Sequence, residues 1–142
     1  MPPTSVHAAA LRHLLHAAIT GDADSIGDVV TDDVSGWSPN LVVSSRDQLL
    51  EAFAGREDTF TRIELDVRAL DELGDKAIAE WHVAADHTGP LVVDDDLVID
   101  ATGRRLHLSG ATFAEFDGDR ICAFRSYFDD LALVEQALLA VE

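Results

Sequence analysis

The sequence has one cysteine, one lysine, four prolines and no apolar run near the ~20 residues that span a bilayer. A lone cysteine, Cys122, excludes an internal disulfide framework and fits a reducing compartment, so a cytoplasmic protein is expected. Cys122 itself reads as a small core side chain on a strand. The first residues lack the basic start, apolar middle and cleavage site of a secretory signal. Cations are scarce: 10 Lys and Arg stand against 27 Asp and Glu, a net charge of −17. Nucleic acids and anionic membrane surfaces are both held through Lys and Arg, so neither is an expected partner. The excess acids keep the surface solvated.

Ligand-holding motifs are missing too. His13 and His16 share a helix face, but no third ligand follows at a zinc-site spacing. The acids at 94–96 and Asp100 lack the glycine and glutamate of a calcium loop. There is no phosphate-cradling glycine loop, nucleophile elbow or Cys-x-x-Cys pair. No cofactor and no metal are therefore expected.

What is present is apolar: 47% of 142 residues, enough for one domain (1–142) with a genuine core. Val6, Ala10, Leu11, Leu14, Leu15, Ala18 and Ile19 recur at helical spacing, which predicts a helix over 5–20 ended by Gly21. Asp22 opens a short second helix through 30, and Ser45 caps a third over 46–54. A short strand and bend lie between these, over 31–40. The period then switches from helical to alternating. Ile63, Leu65, Val67 and Ala69 predict a half-buried strand, and 76–86 a strand apolar on both faces. A long connection, 87–103, holds a short strand at 97–99. Strands 105–116 and 120–128 pair across the Asp117-Gly118-Asp119 turn, and 131–141 closes as an apolar helix. Helices, then long antiparallel strands, then one helix make an α+β domain. A sheet curved around helices leaves a cone with an apolar interior. The second apolar face of 76–86 points to a homodimer packed through the sheet.

The phrases D-H-T-G-P-L (86–91), A-T-G-R-R (101–105), F-D-G-D-R-I (116–121) and R-S-Y-F-D (125–129), in this order of elements, resemble the SnoaL-like polyketide cyclase family. That family belongs to the nuclear transport factor two-like superfamily, and the resemblance covers nearly the whole chain. It implies a cystatin-like roll, a cone-shaped curved antiparallel sheet wrapped around N-terminal helices. It also implies a pocket for an apolar, polyketide-like molecule. The chemistry implied is cofactor-independent cyclisation, isomerisation or hydration by general acid and base. The family's acid on the last strand falls at Ser126, and its accompanying histidine near Ala111. Serine cannot hold a proton near neutrality, so it cannot replace a carboxylate. The limonene epoxide hydrolases are similar in this region, and their acid also falls on Ser126. A ketosteroid isomerase base would fall near Ser38. A non-catalytic ligand-binding or dimeric interaction domain of the same fold is the alternative.

Strand parity supplies the remaining candidates. Phe124, Ser126 and Phe128 share one face of the last strand; Arg125, Tyr127 and Asp129 share the other. By family analogy His107, Ser109, Phe124, Ser126 and Phe128 face the cone, a placement that a bulge would reverse. His107 is the expected acid–base group, with a pKa suited to neutral pH, or else a satisfied surface histidine. Asp129 orients that imidazole or acts itself, or else caps the last helix. Trp37, Trp81 and Tyr127 complete the expected pocket wall. Tyr127 and Arg125 read equally as dimer-face residues, and Trp37 and Trp81 as core.

Overall fold

Ser5 opens the first helix, α1 (Val6–Thr20), its hydroxyl accepting the Ala8 N–H at 3.0 Å. Gly21 closes the helix in the left-handed conformation, φ 75°, returning its N–H to the Ala17 carbonyl. The structure is a computed structural model that describes residues 5–22, 26–54, 59–94 and 96–138. After α1 come β1 (Val30–Ser38), β2 (Leu41–Val43) and α2 (Arg46–Ala54), the last capped by the Ser45 hydroxyl on the Gln48 N–H. Five strands follow: β3 (Phe60–Leu73), β4 (Lys76–His87), β5 (Leu91–Asp94), β6 (Leu97–Ile99) and β7 (Arg105–Asp117). The chain ends in β8 (Arg120–Phe128) and α3 (Asp130–Leu138).

Six strands form one curved sheet in the order β2-β1-β8-β7-β4-β3, and β5 pairs with β6 in a separate ribbon. The main sheet is mixed rather than wholly antiparallel, because β1 runs parallel to β8. Alternation builds its inner face. Val34 on β1, Ala79 and Val83 on β4, Ala114 on β7 and Phe124 on β8 are buried against Leu11 and Leu14 of α1 and Phe53 of α2. Fully burying a Leu or Phe side chain contributes roughly 1.5–3 kcal/mol, so this layer holds the helices to the sheet. A smaller cluster, Ile99, Leu106 and Ala137 with Phe60 and Leu133, packs α3 and the ribbon over the other end. Among the described residues no helix is long and apolar enough to cross a membrane.

The differences from the sequence reading are local. Of the helix expected over 22–30, residues 23–25 lie outside the described residues, Ile26 is helical, 27–29 form a turn and Val30 already opens β1. Strands β2 and β5 were not expected. Ala69 turns outward, because a bulge after Val67 sets Ala69 opposite Glu80 and Leu70 opposite Ala79. Leu70 takes the inward position instead.

His87, at the end of β4, is fully buried, with Nδ1 3.0 Å from the Thr102 hydroxyl. The Thr102 N–H points at the same nitrogen, 3.4 Å away, so Nδ1 acts as acceptor and the imidazole is neutral. Burial lowers its pKa below the ordinary 6.5, with a backbone hydrogen bond to Gly89 working against the shift. A histidine with a depressed folded pKa contributes stability that is present above its unfolded pKa and lost as pH falls through the folded value. Urea midpoints are therefore expected to fall from pH ~7.5 to ~5.5, and His87→Asn to show a smaller fall, measured side by side. Identical pH dependence in the two proteins would contradict this role.

Candidate functional site

One residue decides which side chains of β8 share a face with the inward set of β7. Beside the β7–β8 turn, Phe116 pairs with Ile121; one step further, Glu115 pairs with Ala123. Cys122 is the extra residue, a β-bulge, and its thiol reaches the Glu115 carbonyl at 3.5 Å. Beyond it Ala114 faces Phe124, Thr112 faces Ser126 and Gly110 faces Phe128. Residues directly opposite one another share a face of the sheet. The inner face therefore carries Thr112, Phe124, Ser126 and Phe128, whereas His107, Ser109, Ala111, Arg125 and Tyr127 lie on the outer face. Without the bulge Ala111 would stand opposite Ser126, and with Phe116 and Ile121 still paired it is Phe124, Ser126 and Phe128 that would turn outward.

The inner face borders a cavity of about 530 Å3. Leu14, Leu15 and Ile19 of α1 form one wall, Trp81, Val83, Leu108, Phe124 and Phe128 of the sheet another, and Leu133 and Val134 of α3 close it. Two polar features interrupt this lining. Inside, the Trp81 indole N–H donates to the Thr112 hydroxyl at 3.0 Å, and that hydroxyl lies 2.8 Å from Ser126 Oγ. With the indole donating to it, the Thr112 hydroxyl can donate its own O–H to Ser126, which leaves the Ser126 O–H available to a ligand. At the rim stand exposed Asn40, from the β1–β2 turn, and half-buried Asp130, the first residue of α3. Asn40 Nδ2 donates to Asp130 Oδ1 at 3.4 Å. The Ser38 hydroxyl donates to Asn40 Oδ1 at 3.0 Å, which sets the direction of the amide.

Of the residues singled out from sequence, Trp81, Phe124, Ser126 and Phe128 line this cavity. His107 and Ser109 are corrected to the outer face: both are exposed and both lie beside His82, across the sheet from the cavity. Tyr127 and Trp37 are likewise outside, 48% and 41% exposed, with ring centroids 5.3 Å apart. Asp129 is exposed, and Oδ1 accepts the Ala132 N–H at 3.0 Å, so it caps α3 and does not reach His107. Its neighbour Asp130 was missed, as were Ser38 as a polar wall residue and Asn40. A signal existed in the paired aspartates, since a cap occupies the first acid and leaves the second in the opening turn of the helix.

A family model, SnoaL-like polyketide cyclase, matches residues 8–137. The chain belongs to this family. No curated protein matches the sequence. Among solved structures, a candidate polyketide cyclase from Acidithiobacillus ferrooxidans superposes with a TM-score of 0.80 at 19% identity, covering 99% of this chain and 100% of that one. An LEH-like epoxide hydrolase from M. tuberculosis does so with 0.70 at 16%, covering 99% and 95%. A protein of ketosteroid isomerase-like fold from Catenulispora acidiphila gives 0.69 at 12%, covering 90% and 91%. At these identities the likeness is one of fold, and the fold hosts several chemistries.

In this SnoaL-like chain two glycines make room for the aromatic walls. A Cβ on Gly36 would fall within the Phe124 ring, and one on Gly110 would lie 2.5 Å from Trp81 and 2.7 Å from the Tyr127 carbonyl. Gly110→Ala is expected to destabilise by ~1–3 kcal/mol through this overlap, read as a lower urea midpoint. It should also displace the Trp81 indole, read as a shifted Trp emission. Asp129→Ala should cost about 0.5–2 kcal/mol, the value of a lost N-cap, and leave ligand affinity unchanged. A loss of affinity at unchanged stability would return Asp129 to the site.

Proposed function

We propose that the protein binds a neutral apolar molecule in this cavity and moves a proton on it, as a cofactor-independent isomerase or cyclase. The observation that carries the reading is the carboxylate of Asp130 at the rim of a largely apolar cavity. The volume suits a small organic molecule, for which pockets run ~300–1,000 Å3. Asp130 is the acid–base group. Its carboxylate takes a proton from a carbon next to a ligand carbonyl, and the C–H electron pair moves into an enolate. The Ser126 hydroxyl, donating to that oxygen, stabilises the charge that develops there. When Thr112 donates to Ser126, donation runs from the indole N–H to Thr112 to Ser126 and each bond polarises the next. Where the ligand carries a double bond one carbon further along, the enolate is a dienolate, and return of the proton to its far carbon shifts the double bond and completes an isomerisation. Attack of the enolate carbon on a second carbonyl completes a ring closure, with the proton ending on the new alkoxide. Ser126 at the family's acid position then serves as donor, and the carboxylate acts from the first turn of α3.

Deuterium exchange at the α-carbon of a neutral bicyclic ketone such as 2-tetralone, followed by NMR, tests this. The protein is expected to accelerate exchange, and Asp130→Asn to slow it by roughly 10²–10⁴, the usual worth of a positioned acid or base. Ser126→Ala should slow it by about 10²–10³, as removal of an oxyanion donor does. Saturable binding without exchange would favour a non-catalytic ligand-binding domain. Exchange as fast in Asp130→Asn as in the parent would remove this carboxylate from the chemistry.

A further inference from the structure

The outer face of the sheet holds a cluster that the cavity does not use. His82 on β4 and His107 on β7 meet there, with His82 Nε2 3.3 Å from His107 Nδ1. Both are held in place. His82 Nδ1 lies 2.8 Å from the Ser109 hydroxyl, which occupies that nitrogen and leaves Nε2 directed at His107. The backbone of His107 is clamped by Gln136 of α3, which accepts its N–H at 2.8 Å and donates to its carbonyl at 2.7 Å. Two ring nitrogens can face one another only across a shared proton or a cation.

We propose that His82 and His107 are half of a zinc site, completed by the same two histidines of a second copy of this chain. Zinc binds imidazole nitrogen at ~2.0–2.1 Å in tetrahedral geometry, which places neighbouring ligand nitrogens roughly 3.3–3.4 Å apart. The 3.3 Å between the two nitrogens is close to that separation, so both can bind one tetrahedral ion without moving far. Among the described residues no third ligand-type side chain joins the pair. A structural zinc site is closed by four ligands, so one chain supplies half. An isologous contact supplies the rest, because a two-fold axis through the pair brings the same two residues from the other copy.

The surroundings suit such a contact between two acidic chains. Arg62 and Arg105 flank Asp86 at 3.2 and 2.9 Å, and Arg125 lies 3.5 Å from Glu115. These arginines offset part of the acid on this face, which also carries Glu64, Asp66 and Glu80, in a chain whose net charge is −17. Exposed Trp37, Phe113 and Tyr127 on the same face offer apolar area to bury.

The test is zinc titration of the full chain, by calorimetry and light scattering, in a His13→Gln/His16→Gln background that removes the helix pair. One zinc per two chains with a shift to dimer is expected, together with the intense visible bands of tetrahedral cobalt when Co2+ replaces zinc. His82→Gln or His107→Gln should each weaken binding at least ~tenfold, with circular dichroism unchanged. One zinc per chain without dimerisation overturns the proposal, as does binding indifferent to both substitutions or no binding at all.

Discussion

The bulge at Cys122 is the constraint on which the site depends. A side chain in a strand has only two directions, so one unpaired residue exchanges the inner and outer sets beyond it. That exchange puts Thr112 and Ser126 together inside, where Thr112 also receives the Trp81 N–H. The indole can lie there because Gly110 has no side chain to oppose it. Bulge, glycine and hydrogen-bond chain therefore specify one arrangement. Each would be unfavourable without the others: an inward Ser126 lacking Thr112 would be a polar group in an apolar wall.

Much of the architecture was legible in the sequence because local chemistry states it. Ser5 and Gly21 punctuate α1, alternation marks β3 and β4, and the Asp-Gly-Asp turn defines the β7–β8 hairpin. The site was less legible, for two reasons. Counting straight back from the hairpin turn pairs Ala111 with Ser126, and nothing in R-I-C-A-F announces that Cys122 is skipped. The parallel partnership of β1 with β8 joins residues some ninety positions apart, and only it brings Ser38 and Asn40 near Asp130. Long-range pairing of this kind leaves no local periodicity to read.

One fold can host different chemistries, because function lies in the residues of the site. Here the closing strand supplies a hydroxyl, Ser126, and the helix after it supplies a carboxylate, Asp130. Helix α3 is placed by three contacts of different kinds. Its Asp129 cap sets its start, Leu133 and Val134 pack over the cavity, and Gln136 ties it to the free edge of β7. Through that last contact the element bearing the rim carboxylate is attached to the backbone of His107, on the opposite side of the sheet.

The most direct test of this account is cross-linking across the β7–β8 pair in a Cys122→Ser background. Cysteines at 112 and 126 should oxidise readily to a disulfide, because opposed residues on one face lie within bonding range. Cysteines at 111 and 126 should stay reduced, since they point to opposite faces. Efficient closure of the 111–126 pair, with 112–126 left open, would contradict the bulged register and the cavity lining built on it.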